Sequence, residues 1–404
     1  MREDWEEILY KDAVYKISTT KQKLKQKEYS QFGEYPIIDQ GQEKIGGYSD
    51  DKDRILDCKL PVLVFGDHTK CVKLINFKFI PGADGTKVLE PKQGIEPKYI
   101  STLTHVLVHK IKDKGYARHY QHIEKENLPL APLPEQRAIV SKIEELFSDL
   151  DKGIADLKKA QDQLIVYRQA VLKKAFEGEL TKSKDLLNKT KLKKIVRFSQ
   201  GIQVPKPDQK LNFQKGDVRF LRIIDFTQGK DSPRFIKNPG VKYIVSSDDI
   251  SMVRYGASTG HICTGINGAI ANNIFRIIPT VQLENKFLFY FFKSPYFLEI
   301  LKKRVKGVAM PAISFGLLND IEINFTSDER QQNLIVKAIE SRLSVCDKME
   351  ESINESLEKS KALRQSILKK AFKGTLLSKD EIEKCKAATD YETAAVLLQK
   401  IKNL

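Results

Sequence analysis

Residues 167–180 read YRQAVLKKAFEGEL and residues 363–376 read LRQSILKKAFKGTL, identical at nine of fourteen positions with an offset of 196. The match continues upstream without a gap, where Ile139 falls on Ile335. About 150 dissimilar residues separate the two copies, whereas the repeats of a solenoid recur every ~20–50 residues. The sequence therefore predicts two large units related by an approximate two-fold axis, each a variable globular part followed by a similar helix.

The composition indicates a folded protein with a polyanionic partner. A length of 404 residues allows two or three domains, and a hydrophobic content of 41% is sufficient for folded cores. Lysine and arginine total 69 against 53 aspartates and glutamates, which gives a net charge of +16 at pH 7. Solvated surface lysines are the simpler explanation, but an excess of this size favours binding to nucleic acid.

Cysteine usage and hydrophobic runs predict a cytoplasmic protein without membrane contact. The five cysteines are scattered and form no CxxC pair, so neither a zinc site nor a disulfide framework is indicated, and a reducing compartment fits. The N-terminal residues MREDWEEIL contain no apolar core of a signal peptide. The longest aromatic and aliphatic run, at residues 287–292, is far too short to span a bilayer.

Apolar residues at heptad spacing predict two long helices, over residues 135–178 and roughly 328–374. An acidic first turn begins each helix, and lysines followed by Gly178 or Gly374 end it. The heptad core is expected at Ile143, Leu150, Leu157, Leu164 and Val171 in the first helix and at Ile339, Cys346, Ile353 and Ile367 in the second, with Leu146, Ala160, Tyr167, Ile335, Met349 and Leu363 on the same seams.

Each helix would be about 65 Å long at a rise of ~1.5 Å per residue. A seam this narrow cannot be buried on one small domain, which favours packing of the two helices on each other as an antiparallel intramolecular coiled coil. The alternative is that each helix packs on its own globular unit.

The globular parts contain short β-rich runs bounded by glycine and proline, with helical patches between them, which is typical of an α+β fold. Residues 181–194 are basic and polar and are expected to form a linker. The C-terminal residues are expected to form a short amphipathic helix. The predicted segments are a first globular domain (1–133), a first helix (134–180), a linker (181–194), a second globular domain (195–326), a second helix (327–376) and a C-terminal tail (377–404).

Catalytic motifs are few, and each has a non-catalytic explanation. Residues 256–260 read GASTG and match the GxSxG pattern of hydrolases, but a β-like segment follows them, so a glycine-rich hairpin loop is favoured. Asp84, Glu90 and Lys92 loosely resemble a nuclease metal site, yet Pro91 disfavours the central strand that such a site needs. No phosphate-binding or dinucleotide-binding glycine motif is present.

Side chains that can contact bases or phosphates cluster in four stretches of the globular parts. Two of these stretches are polar loops after predicted strands, one is a run of donors and aromatics, and one is a basic cluster. The candidate DNA-binding residues are His68, Thr69, Lys70, Arg118, His119, Tyr120, Gln121, Arg254, Tyr255, Ser258, Thr259, His261, Lys302, Lys303, Arg304 and Lys306.

Several motifs together resemble the specificity (S) subunits of type I restriction–modification systems. They occur in both halves of the chain, at residues 35–38 (YPII), 60–69 (LPVLVFGDHT), 130–137 (LAPLPEQR), 172–180 (LKKAFEGEL), 201–206 (GIQVPK) and 390–398 (DYETAAVLL). The start of the second helix departs from the pattern, since residues 324–332 read NFTSDERQQ in place of the PLPEQ motif. This departure concerns the local contacts there and not the architecture.

The resemblance implies two target-recognition domains separated by an antiparallel coiled coil of two conserved helices, with pseudo-two-fold symmetry. Each domain would read one half of a split, asymmetric site in double-stranded DNA, and the helices would set the spacer. The subunit would be non-catalytic, with no cofactor and no metal of its own. It would bind two methyltransferase (M) subunits, which use S-adenosylmethionine to methylate adenine, and we expect the helices and the C-terminal tail to dock them. Restriction (R) subunits would then join; ATP and Mg²⁺ also belong to these partners.

Two other functions remain compatible with the residues. One is an autonomous nuclease or hydrolase that uses the glycine-rich loop or the Asp84, Glu90 and Lys92 set. The other is a stand-alone DNA-binding regulator that never meets a methyltransferase. Intrinsic activity abolished by Ser258→Ala or Glu90→Ala would favour the enzyme, and genomic neighbours would identify the regulator.

Overall fold

Two long helices, Leu133–Phe176 and Glu329–Lys373, occupy the positions that the heptad repeats predict. Each has a glutamate in its first turn and lysines in its last turn, which suits the partial charges of helix ends. Gly178 and Gly374 follow with φ angles of +76° and +77°, a conformation that favours glycine and ends a helix. In both cases the N–H after the glycine donates to the carbonyl four residues before it, at 2.9 Å.

The computed structural model describes residues 2–111, 118–182, 184–229, 231–305 and 312–404, without the side chains of residues 304 and 305. The chain forms two units. Unit 1 comprises Met1–Asp156 and Ser356–Leu404, and unit 2 comprises Leu157–Glu355. Each unit therefore contains one half of each long helix.

Unit 1 combines three small sheets with the start of the first long helix. Its elements up to that helix are β1 (Glu6–Leu9), α1 (Tyr10–Ala13), β2 (Val14–Ile17), β3 (Tyr35–Ile38), β4 (Gly47–Ser49), β5 (Val62–Gly66), β6 (Val72–Ile75), β7 (Ile80–Pro81), β8 (Thr86–Pro91), α2 (Pro97–Lys110), α3 (Tyr120–Ile123), β9 (Asn127–Leu130) and α4 (Leu133–Phe176).

Unit 2 follows the same plan between the two long helices, and the second half of the second long helix and two short helices after it belong to unit 1. The elements are β10 (Asn188–Lys191), β11 (Val196–Gln200), β12 (Asp217–Leu221), α5 (Ile223–Thr227), β13 (Arg234–Lys237), β14 (Ile244–Val245), β15 (Ile250–Val253), β16 (Ile262–Cys263), β17 (Gly268–Ile270), β18 (Ile274–Pro279), α6 (Asn285–Phe292), α7 (Pro295–Val305), α8 (Phe315–Asn319), β19 (Glu322–Phe325), α9 (Glu329–Lys373), α10 (Lys379–Lys386) and α11 (Ala394–Lys402).

The sheets of the two units have matching topologies. A four-stranded antiparallel sheet has the order β2–β8–β5–β6 in unit 1 and β11–β18–β15–β16 in unit 2. A second sheet, with one parallel pair, has the order β4–β3–β7 in unit 1 and β13–β12–β17–β14 in unit 2. A two-stranded ladder precedes each long helix, β1–β9 in one unit and β10–β19 in the other. The predicted internal repeat therefore extends through the globular parts, whose sequences have diverged.

The long helices pair in an antiparallel sense within each unit. In unit 1 the start of α4, at Ile139 and Ile143, shares a buried core with the end of α9, at Ile367. In unit 2 the end of α4, at Val171, shares a core with the start of α9, at Ile339. The predicted antiparallel coiled coil is confirmed, and the ends of both helices also pack into the globular cores.

Matching ion pairs cross the helices in each unit. Arg168 lies 2.7 Å from Asp347 in unit 2, and Arg364 pairs with Asp151 in unit 1. Both the arginines and the aspartates are 196 residues apart, which is the offset of the sequence repeat. The charges at these positions therefore repeat with the helices and favour one antiparallel register.

The predicted heptad core is buried except near the middle of α4. Leu150 and Leu157 are half-buried there. Three residues that were expected on the seams are about half exposed, namely Tyr167, Met349 and Leu363. This part of the prediction was wrong because both helix ends also pack on globular cores, which changes the buried face along each helix.

One segment has more structure than its composition indicates. Residues 181–194, expected as a linker, contain β10, which pairs with β19 in the ladder before α9. The C-terminal helix α11 forms as predicted, and its apolar side chains, among them Leu397 and Ile401, pack in the core of unit 1. Among the described residues, the helices include none that is long and apolar enough to cross a membrane.

Candidate nucleic-acid interface

The polar turn after β5 is held against the end of β3. The backbone N–H of His68 donates to the Gln40 side-chain oxygen at 3.2 Å, and the Thr69 hydroxyl donates to the Gln40 carbonyl at 2.5 Å. Thr69 is exposed, and His68 and Lys70 are half-buried. These hydrogen bonds fix the turn, which presents polar side chains at the surface.

Asp67 connects the turn after β5 to residues 118–121. Its buried carboxylate accepts the Tyr120 N–H at 2.9 Å and lies 3.5 Å from Lys87 Nζ. Its carbonyl accepts the His119 N–H at 2.9 Å and lies at the same distance from His119 Nδ1. Because a buried carboxylate needs such partners, Asp67 ties residues 118–121 to the turn.

Two candidate residues of this stretch are buried and do not face solvent. His119 is 1% exposed, and Tyr120 is 5% exposed and packs its ring against Tyr10 and Phe65. This corrects the expectation that the whole stretch contacts DNA: the burial of these rings fixes the loop, while Arg118 and Gln121 remain exposed.

The exposed side of this arrangement is an open polar cavity of about 610 Å³. Two carboxylates and three basic or imidazole side chains contribute to it, so the charges are mixed and not uniformly positive. Its lining residues are Asp67, His68, Asp84, Gly85, Lys87 and Arg118.

In unit 2 the GxSxG stretch is the turn of a β-hairpin. It joins β15 to β16, which pair antiparallel, and the Gly260 N–H donates to the Val253 carbonyl at 2.9 Å. The Thr259 hydroxyl donates to the Gly256 carbonyl at 2.6 Å. A strand follows Ser258 where a nucleophile elbow requires a helix, so the geometry supports the hairpin explanation.

The hairpin packs closely on α7. A Cβ atom at Gly260 would lie 2.4 Å from a methyl carbon of Leu301. Lys302 and Lys303 follow directly and are exposed, and Lys303 lies 3.8 Å from Glu299. The structure thereby brings the hairpin stretch and the basic cluster together; the side chain of Arg304 and all of Lys306 lie outside the described residues.

Arg254, another candidate, holds neighbouring segments together. Its guanidinium donates to Gln200 Oε1 at 2.7 Å and to the Ile313 carbonyl at 3.3 Å, and it lies over the Phe315 ring at 5.4 Å. This corrects its expected role in part, since two of its five N–H donors are already used within the protein. Tyr255 beside it is half-buried.

His261 closes the hairpin turn. Neighbouring protein atoms remove part of the water around the imidazole, and the charge of Lys293 acts in the same direction, so the pKa of His261 is lowered. The lowered pKa favours the neutral ring, which carries one donor and one acceptor and can hydrogen-bond to base edges.

The proposed nuclease set does not assemble into a site. Glu90 accepts the Lys59 N–H at 2.9 Å, and Lys92 Nζ donates to the Ile401 carbonyl at 3.2 Å. Within the described ranges there is also no group of three or more histidine, cysteine, aspartate or glutamate side chains that could hold a metal ion. The geometry therefore gives the nuclease alternative no support.

Sequence reasoning missed the residues that fix this surface, namely Asp67, Gln40 and Gln200. Each acts through hydrogen bonds between distant segments. The one available signal was the aspartate directly after the buried strand β5, because a carboxylate in such a position needs donors.

Comparison with known proteins places both halves of the chain in one family. The family model described as "Type I restriction modification DNA specificity domain" matches twice, over residues 2–159 and 183–359. The EcoBI specificity subunit of Escherichia coli is 29% identical over 307 residues, and the StySPI specificity subunit of Salmonella potsdam is 26% identical over 351 residues. These alignments cover 68% and 78% of this chain, and 64% and 73% of the two relatives.

Solved structures share the fold. A chain from a study of complex assembly and conformational transition in the type I R-M system superposes with a TM-score of 0.73 at 17% identity, covering 93% of this chain and 99% of that one. The HsdS subunit of Thermoanaerobacter tengcongensis gives 0.62 at 18% identity, with coverages of 93% and 98%.

Proposed function

Because the chain belongs to the type I restriction modification DNA specificity domain family, we propose that it reads a bipartite, asymmetric DNA site for a methyltransferase and nuclease complex. The family resemblance and the α+β fold class expected from the sequence are confirmed. The named relatives are specificity subunits of restriction enzymes, the class for which no catalytic activity of its own is expected.

The repeated topology of the two units carries the proposal. Each unit contains a match to the DNA specificity domain and the same order of strands. The exposed loops differ in sequence between the units. Two units with the same fold and different surface loops suit the recognition of two different DNA half-sites. In this proposal residues 1–133 and 195–326 are the recognition domains.

The exposed candidates supply the chemistry of recognition. Arg118 and Gln121 in unit 1, with Thr69, and Lys302 and Lys303 in unit 2 can donate to phosphates or base edges. The half-buried or turn residues His68, Lys70, Ser258, Thr259 and His261 complete the proposed surface. Phosphate contacts by the basic members would position the protein, and the amide, hydroxyl and imidazole groups would contribute to sequence preference.

The coiled coil offers a docking face for methyltransferase subunits. Ile165 and Val166 on α4, and Val345 and Met349 on α9, are each more than half exposed in unit 2. Several exposed large apolar side chains on these helix segments suit an interaction surface. The apolar stripe of the tail was also expected to dock these partners, but its Leu397 and Ile401 are buried in the core of unit 1, so we assign the docking to the helices.

We propose two M subunits per chain, to which R subunits add. S-adenosylmethionine, ATP and Mg²⁺ would bind those partners. Light scattering of the co-expressed M and S proteins tests the stoichiometry, and a stable 1:1 complex at saturating M would contradict it. Since the proposed substrate is the cell's own DNA, we place the protein in the cytoplasm.

Methylome sequencing of cells that express the chain with its M partner tests the function itself. A split, asymmetric methylated motif is expected. Replacing residues 1–133 by the equivalent part of another family member should change one half of that motif only, and the matched exchange of residues 195–326 should change the other half. A single exchange that altered both halves would contradict the two-reader proposal. Sequence-specific binding without any partner would favour a regulator.

A further inference from the structure

Two glutamines, Gln136 and Gln332, occupy equivalent positions in the first turns of α4 and α9. They are 196 residues apart, the offset of the sequence repeat, and both are fully buried, with 0% exposure. The PLPEQ motif is present only before the first helix, yet the glutamine itself is present in both. A buried amide needs a partner for each polar atom.

In unit 1 the side chain of Gln136 bridges two segments of the globular part. Its Nε2 donates to the carbonyl of Ala131 at 2.8 Å and to the carbonyl of Gly94 at 3.1 Å. Its Oε1 accepts the N–H of Glu96 at 2.8 Å. Ala131 lies between β9 and α4, and Glu96 directly precedes α2.

In unit 2 the side chain of Gln332 makes the same three bonds. Its Nε2 donates to the carbonyl of Thr326 at 2.9 Å and to the carbonyl of Gln282 at 3.2 Å. Its Oε1 accepts the N–H of Glu284 at 2.7 Å. Thr326 lies between β19 and α9, and Glu284 directly precedes α6. The departure in the second helix motif therefore leaves this contact intact.

An ion pair between the same helices also repeats in both units, but it is exposed, whereas the glutamines are buried. Lys98 on α2 pairs with Glu144 on α4 at 2.7 Å, and Lys286 on α6 pairs with Glu340 on α9 at 2.7 Å. In each pair both side chains are more than one third exposed. Exposed ion pairs contribute little to the orientation of the helices, because water screens their charges and both side chains are mobile. The buried amides are thus the more specific connection.

We infer that Gln136 and Gln332 are positioning residues that fix the angle between each recognition domain and its long helix. This inference rests on the proposed function. A helix can set the distance between two half-sites only if each domain is held rigidly on it. The amide is suited to this task because one planar group joins the helix to an N–H and two carbonyls from separate segments.

The test compares spacer preference in the complete complex with the M partner. Binding is measured to duplexes that carry both half-sites with the spacer lengthened or shortened one base pair at a time. Gln136→Met and Gln332→Met keep the side-chain length and remove the three hydrogen bonds. The ratio of affinities for the preferred spacer and its nearest neighbours should fall about tenfold in each variant, with the half-site sequences unchanged.

Gln163→Met is the matched control, because Gln163 is an exposed glutamine of the same helix, and it should keep the wild-type ratio. Where a methionine variant does not fold, the asparagine variant, shorter by one methylene, is measured in the same way. A folded variant that binds all spacers more weakly but keeps the wild-type ratio has lost only stability, and that result would overturn the inference. If the wild-type complex prefers no bipartite site at any spacer, the proposed function itself fails.

Discussion

The buried carboxylate of Glu135 gives the sharpest prediction about stability. Glu135 is 0% exposed, and Arg2 Nη2 donates to its two oxygens at 2.7 and 2.6 Å. Trp5 Nε1 donates to one of these oxygens at 3.0 Å. Replacement of Arg2 by methionine would leave a buried charge with a single neutral donor. Breaking a fully buried pair costs about 3–5 kcal/mol, and because the Arg2 side chain is 20% exposed we expect a cost near the lower end of that range.

For a unit of this size the cost corresponds to a lower thermal midpoint by about 10 °C. Because a chain of two units need not unfold in a single transition, the assay should report on each unit separately. Hydrogen exchange read by mass spectrometry does so, with peptides from β1 (Glu6–Leu9) reporting on unit 1 and peptides from β10 (Asn188–Lys191) on unit 2. Arg2→Met should accelerate exchange in the first set and leave the second unchanged.

Two further variants make this result decisive. Lys98→Met removes an exposed pair of similar geometry, with a distance of 2.7 Å, and should cost about 1 kcal/mol or less. Arg2→Met combined with Glu135→Met removes both charges and should recover most of the loss. The reasoning would be refuted if Arg2→Met cost no more than Lys98→Met, or if the double variant were no more stable than Arg2→Met alone.

Three other predictions address spacing, charge and thiol chemistry. An insertion of seven residues after Ala160, with seven more beside Asn354, which Gln161 contacts, lengthens both helices in phase. The preferred DNA spacer should then grow by about three base pairs. A folded, active variant that keeps the original spacer in methylome sequencing would exclude the spacer role of the helices. Lys302→Gln and Lys303→Gln should each lower the salt slope of DNA binding by about 0.9 without changing the recognised sequence, whereas lost discrimination at one base pair would indicate direct base contact. Burial raises the pKa of Cys263 to about 12 and that of Cys58 to about 11, which lowers the fraction of reactive thiolate at pH 8. Iodoacetamide at that pH should label both cysteines at least ~100-fold more slowly in the native protein than in the unfolded chain, as measured by mass spectrometry.

The architecture was readable from the sequence because its strongest signals are local and periodic. The heptads predict both long helices, and Gly178 and Gly374 predict where they end. The repeat at an offset of 196 predicts the two units. In contrast, the segment that forms β10 is polar and was expected as a linker, because pairing with β19 comes from a partner more than 100 residues away.

The candidate interface was readable only in part, for the same physical reason. Polarity identified the right loops, but burial separates Arg118 from its neighbour His119, which is tied to Asp67 across more than 50 residues. Residue type could not reveal that Arg254 is engaged by Gln200. The glutamine in the first turn of each long helix was visible in the sequence, but its role required the positions of three backbone groups.

Because unit 1 is made of two separate stretches of the chain, its core is completed later during translation than the core of unit 2. Unit 2 is one continuous stretch, Leu157–Glu355, and every residue of it can be present before the chain is finished. The core of unit 1 waits for Ile367, Leu397 and Ile401, which are translated about 200 residues after its first part. At ~5–20 residues per second this delay is about 10–40 s. During that interval the nascent N-terminal segment has an incomplete core, so unit 1 can complete its folding only after α11 has been made.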